Sequence, residues 1–145
     1  MFARTGQRGY STVLWAGFLA FCMLPLLALS INVGRWFYAR GAVAQAADAA
    51  ALAAVQEVDV PTYITTGVIV LKPSAWGIAN NYASLNTVSL GGKAMRPYVS
   101  GITVDQGSRT VRVTVSATVE NLVPWSQTVT LTATGEAQVR GRTAP

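Results

Sequence analysis

The chain has 145 residues, 51% hydrophobic and 12% charged, with one cysteine, no histidine and a formal net charge of +5. That length leaves room for one outer domain beside any apolar segment. A single cysteine rules out an intrachain disulfide, and the lack of histidine removes the commonest general base and transition-metal ligand. Arg4, Arg8, Arg35 and Arg40 supply +4 of the charge, while the rest of the chain sets seven basic groups against six acidic ones. Phosphate-binding charge is clustered on a folded domain instead, so no nucleic-acid partner is expected.

Between Arg8 and Arg35 lie 26 residues without a formal charge, Gly9 to Gly34. As a helix this run is about 39 Å long, enough for a hydrocarbon core of about 30 Å. It reads as a transmembrane helix, 9–34, behind a short cytoplasmic N-terminus, 1–8. The amine and arginines of that short tail favour an inside N-terminus. Tyr10 with Arg8 at one boundary, and Arg35, Trp36, Phe37, Tyr38 and Arg40 at the other, are the expected membrane-interface anchors, because amphipathic rings and long cations settle at the headgroup layer. Ala16, Gly17, Ala20 and Ala28 permit close packing on other membrane helices. Pro25 bends the span locally. The rival reading is a secretory signal cut after Ser30, which would release a binding module beginning at Ile31.

The next two dozen residues contain no proline and many alanines, the residue with the strongest preference for helix. The helix is therefore expected to continue outside the membrane over 35–58 and to stop at Pro61. Asp48 stands in this tract without an i to i+4 cation, since Ala44 and Leu52 occupy those places. Thr62–Leu71 is rich in β-branched residues and reads as a strand. Ser74 is a candidate N-cap for a short amphipathic helix with Ile78, Tyr82 and Leu85 on one face, stopping near Asn86. Trp76, Asn80, Asn81 and Trp125 are assigned to core and turns. Gly91-Gly92 makes a flexible connection, and Pro97 opens an extended run with Val99, Ile102 and Val104.

The clearest signal lies in the last third. Val111, Val113, Val115, Ala117 and Val119 alternate with polar residues, the period of a half-buried strand, and Gln106-Gly107-Ser108 can close a hairpin before it. A second alternating run places Val129, Leu131, Ala133, Ala137 and Val139 on one face and threonines on the other. A sheet with one apolar face needs a cover, which the alanine side of the outer helix can supply. The outer domain, 35–145, is thus an α+β unit, with a mainly antiparallel sheet and short helix over 62–140 and a frayed tail from Arg140.

The segment from Gly9 to Val58 resembles the N-terminal region of TadE/TadG-like proteins of the tight-adherence (Flp) pilus-assembly system. The elements that carry the likeness are the span with its late Pro25, then Gly34-Arg35-Trp36-Phe37-Tyr38-Ala39-Arg40, then Gln45-Ala46-Ala47-Asp48-Ala49-Ala50-Ala51-Leu52-Ala53-Ala54. Gln45, Asp48 and Leu52 are the motif positions from which a contact is expected. The resemblance implies a pilin-like outline and a single-pass structural or assembly protein of the bacterial cytoplasmic membrane, with its C-terminal domain extracytoplasmic. Its partners would be membrane lipid and other membrane or envelope proteins. The same architecture would suit an accessory subunit of a larger bioenergetic or transport complex. No nucleophile with a base, paired carboxylates or phosphate loop stands in a convincing arrangement, so no enzyme activity, cofactor or metal is expected.

Overall fold

A computed structural model describes residues 7–120 and 128–140, with side chains from Ser11 onward. The chain is α+β. Helix α1 runs from Gln7 to Gln56 and is unbroken through Pro25, Gly34 and Gly41. Compact units meet within it: one ends at Arg35 and the other begins at Trp36.

In the first unit the large apolar side chains have no protein around them. Val13, Leu14, Trp15, Phe18, Leu19, Phe21, Met23, Leu24, Leu26, Leu27 and Leu29 are all exposed, and from Ser11 to Phe21 every residue is exposed, whichever way it points around the helix. Such a surface cannot be left in water, where each large apolar side chain forfeits about 1.5–3 kcal/mol of burial. A helix apolar all round belongs in a core or in lipid. Between Ser11 and Gln56 the helix contains a stretch of 18 residues with a mean hydropathy of 2.2, none of it buried by the chain itself. In the same helix, Ser30 Oγ donates to the Leu26 carbonyl at 2.9 Å, which satisfies a hydroxyl otherwise costly in an apolar environment.

The second unit is built around the rest of α1. Ala39, Val43, Ala46, Ala47, Ala50, Ala51 and Ala54 are fully buried, a stripe at helical spacing that faces the sheet. The sheet has order β3-β4-β5 and is antiparallel throughout. Its strands are β3 (Tyr98–Asp105), β4 (Thr110–Val119) and β5 (Val129–Gln138). The alternation read from β4 and β5 holds: Val111, Val113, Val115, Ala117 and Val119 are buried, and so are Ala137 and Val139, with Val129, Leu131 and Ala133 partly covered. Loop Gln106–Arg109 closes the β3–β4 hairpin, with Asp105 opposite Thr110.

Gly135 sits between the buried Ala137 and the half-buried Ala133. A Cβ there would stand 2.3 Å from the Ala47 carbonyl oxygen and 2.6 Å from the Asp48 amide nitrogen. Only a residue without a side chain lets the helix backbone come this close. Alanines on the helix and a glycine on the strand are two halves of one close approach.

The region between helix and sheet departs from the sequence reading. Helix α1 ends at Gln56, before Pro61, in a tightened turn where Glu57 and Val58 donate to Ala54 and Val55. Pro61 instead lies in the first turn of α2 (Val60–Thr66), where its missing N–H costs nothing. Thr62–Leu71 is therefore not a strand. The three threonine hydroxyls Thr62, Thr65 and Thr66 bond to Asp59 or to carbonyls of the helix, and Gly67 closes it in the left-handed conformation at φ 71°, so capping chemistry outweighs β-propensity. Beyond Gly67 only Leu71 takes part in β-pairing, as an isolated antiparallel bridge to Val58, flanked by the bonds from Asp59 N to Val70 O and from Lys72 N to Glu57 O.

Helix α3 (Ala75–Leu85) follows, with Ser74 at its N-cap and Asn86 at its C-cap. The Ser74 hydroxyl donates to Glu57 Oε2 at 2.7 Å and not to the helix. Its buried face is Ala75, Ala79 and Ala83, not the expected Ile78, Tyr82 and Leu85, because a helix laid close on β3 accepts only small side chains at the contact. Gly91 and Gly92 form a tight turn between β1 (Val88–Leu90) and β2 (Lys93–Met95). Both have positive φ, 63° and 84°, as a two-residue hairpin turn demands. Lys93 pairs with Glu120 at the end of β4.

Candidate interaction surface

What remains exposed on the second unit marks where it can meet other molecules. The outward stripe of α1 is Tyr38, Gly41, Gln45, Asp48, Leu52 and Gln56, at intervals of three and four residues and therefore on one face. The motif positions Gln45, Asp48 and Leu52 all fall on it, opposite the alanines that cover the sheet. Asp48 lies in a helix whose neighbouring turns offer it no cation. Leu52 is 61% exposed.

Of the residues expected as anchors, Phe37, Tyr38 and Arg40 are exposed and Arg35 and Trp36 half-buried. Trp36 also packs against the core of the second unit, so its ring is shared between interior and surface. The side chains of Arg8 and Tyr10 lie outside the described residues, as do Trp125 and the tail from Gly141. In the apolar helix, Ala16, Gly17, Ala20 and Pro25 are exposed and Ala28 is half-buried. Nothing stands within 4 Å of a Cβ placed on Gly17. Trp15 and Phe18 meet edge to face with ring centroids 6.0 Å apart, lining with Leu14 a shallow apolar recess of about 360 Å³.

A second apolar group surrounds α2 and α3. Val60, Ile64, Trp76, Tyr82 and Leu85 are exposed, and α2 buries none of its residues. Trp76, expected in the core, is thus a surface residue. Asn80 ties its helix to the sheet, since its Oδ1 accepts the Val99 N–H at 2.9 Å. Gln106 plays a similar part that its sequence position did not reveal. Its carboxamide accepts from the Ile69 N–H and donates to the Ile69 carbonyl, both at 2.8 Å, standing in for a strand partner.

The outer face of the sheet is dense in hydroxyls. Thr114, Thr118, Thr130, Thr132 and Thr134 project there, Ser116 donates to Ser100 at 3.0 Å, and Arg112 and Glu136, direct cross-strand partners, form an ion pair at 2.6 Å. At the hairpin tip, Asp105 accepts from Gly107 N and Ser108 N. Hydrogen bonds from Ser108, then Gly107, hold its carboxyl below the ordinary 3.8. Among the described residues, no three His, Cys, Asp or Glu side chains come together as metal ligands. The surfaces consist of strand edge, hydroxyl face and apolar helix, the materials of contact.

No curated protein and no solved structure matches the chain. Residues 9–57 match the family model described as putative Flp pilus-assembly TadE/G-like. That segment holds the apolar helix and the alanine stripe with Gln45, Asp48 and Leu52. The resemblance read from Gly34–Arg40 and Gln45–Ala54 is thereby borne out: over residues 9–57 the chain is similar to a pilus-assembly family, and it carries a candidate membrane helix.

Proposed function

We propose that the chain is a single-pass structural or assembly protein of the bacterial cytoplasmic membrane, working through contacts and not through catalysis. Its N-terminus is inside and its C-terminal α+β domain is extracytoplasmic. One observation carries the reading: a helix that exposes large apolar side chains around its whole circumference runs on into a helix with a single buried stripe. The first half suits lipid on all sides, and the second suits a protein layer on one side and water on the other. The match to a pilus-assembly model over 9–57 supports the same assignment.

In this reading Arg8, Tyr10, Arg35, Trp36, Phe37, Tyr38 and Arg40 hold the span at its two interfaces. Ala16, Gly17, Ala20 and Ala28 give neighbouring membrane helices a close approach. Gln45, Asp48 and Leu52 present a carboxamide, a carboxylate and an apolar tip to envelope partners. Native-gel separation and mass spectrometry of the detergent-extracted chain test this. Recovery with pilus-assembly components supports it. Fixed stoichiometry in a bioenergetic or transport complex contradicts it, as does a soluble chain beginning at Ile31.

A further inference from the structure

The carboxylates of the second unit are nearly all answered within the chain. Among the described residues, Glu57 accepts from Ser74, Asp59 from Thr62 and Asp105 from its own loop, while Glu120 pairs with Lys93 and Glu136 with Arg112. Asp48 is the exception among them: it is exposed and has no hydrogen-bonding side chain or cation beside it. It is also the only charge on α1 from Gly41 to Gln56. A helix side turned permanently to water carries more charge than this, since solvated surfaces are about 25–35% charged.

The exposed residues around Asp48 keep a period that another helix can follow. Gly41 and Asp48 stand seven residues apart, as do Gln45 and Leu52, and the two sets interleave at steps of four and three. A row repeating every 3.5 residues is the seam along which two helices lie side by side, whereas a strand, with its period of two, meets no such row. Gly41 leaves a hollow in the row, with nothing within 4 Å of a Cβ placed on it. Leu52 supplies an exposed apolar knob.

We propose that this row is the docking line for a helix of a different envelope or membrane protein, one whose facing residue is an arginine or lysine paired with Asp48. The inference rests on the function proposed above and supplies the partner's chemistry. A second copy does not fit. Laid parallel and in register, it would set Asp48 against Asp48, and like charges brought together in an interface are costly. Arg40, the nearest exposed cation on α1, lies eight residues back and about 80° round the helix. Bringing it to Asp48 would slide one copy about 12 Å along the axis, out of step with a bilayer that both apolar halves share. A cation from another chain meets Asp48 without either cost. Enclosed between two helices, the carboxylate then has the partner that a desolvated charge requires.

Photocrosslinking in native membranes tests this, with benzoylphenylalanine placed in the full chain at Gln45 or at Leu52 and the adducts mapped by mass spectrometry. Both positions are expected to link to one other protein, at sites about seven residues apart on a single segment, with an arginine or lysine between them. Asp48→Lys should cut the yield about tenfold, because it sets like charges together. Changing the partner's cation to glutamate should restore the crosslink to Asp48→Lys. Resistance of the chain to carbonate extraction is read in parallel. Release from the membrane would overturn both this inference and the anchoring it rests on. Retention in the membrane with no crosslink, with adducts to a second copy or to lipid, with sites that lack the spacing or the cation, or with a yield unchanged in Asp48→Lys, would overturn the docking line alone.

Discussion

Gly135 of β5 lies so close to Ala47 of α1 that the carbonyl oxygen of Ala47 occupies the place where any side chain at 135 would begin, 2.3 Å from an ideal Cβ. This contact sets the distance between the outer half of the helix and the sheet. It explains why the covering stripe is alanine almost throughout. Larger residues elsewhere along the stripe would hold the helix away from this strand, and the packing of Val111, Val113 and Val115 beneath it would open.

Gly135→Ala is therefore expected to destabilise the outer domain by about 3 kcal/mol, the upper part of the range for overpacking. Ala47→Gly should not rescue it, because the clashing atoms are main chain. Gly101→Ala is the control: its Cβ would have only Thr114 Cβ at 3.9 Å, an ordinary contact, and the change should fall within about 0.5 kcal/mol. Denaturant titration of the three variants checks this.

Ile69 has no strand partner, and the Gln106 carboxamide supplies both of its hydrogen bonds. Gln106→Leu keeps much of the volume and leaves a buried backbone donor and acceptor unmet, which should cost about 2–3 kcal/mol. Hydrogen exchange should show early opening at Ile69 while the β4 amides stay protected.

Val113 is fully buried at the centre of the sheet. Val113→Ala removes two methyl groups and leaves a cavity beneath α1, for an expected loss of about 2–3 kcal/mol. The same substitution at the exposed Val70 should be close to neutral. Thermal unfolding of the two variants decides between them.

The Asp105 carboxyl is held below its ordinary value by hydrogen bonds from Ser108 and Gly107. A carboxylate with a depressed folded-state pKa contributes stability above its unfolded pKa, and that contribution is lost as pH falls through the folded value. The stability curve should thus have an acid limb below about pH 4 that Asp105→Asn makes shallower. Above pH 5 the variant should follow the parent in slope.

Legibility in the sequence depends on whether a residue's fate is set locally or by distant packing. The span, the outer helix and the alternation of β4 and β5 are periodic patterns that report directly which face is apolar. The β-branched composition of Thr62–Leu71 points to a strand, but Pro61 and Gly67 bracket a single helical turn or two, and their conformational demands prevail. In α3 the pattern Ile78, Tyr82, Leu85 suggests a core face. Ala75, Ala79 and Ala83 take that place instead, because separation from β3 decides the contact and small residues win when elements come close. Gly135 breaks the alternation of β5 and carries the same information. It becomes readable only once Ala47 stands opposite it.

If residues 9–34 lie within lipid, as proposed, then Cys22, the only cysteine of the chain, sits in the middle of the bilayer. In intact membranes this thiol should resist a membrane-impermeant maleimide added from either side, and should react fully once the protein is denatured in detergent. A cysteine introduced at Thr103 in the Cys22→Ala chain should react without denaturation, from the outer side alone. Rapid labelling of Cys22 in intact membranes, or a mature chain that yields no thiol at all because the segment has been removed, would contradict the account.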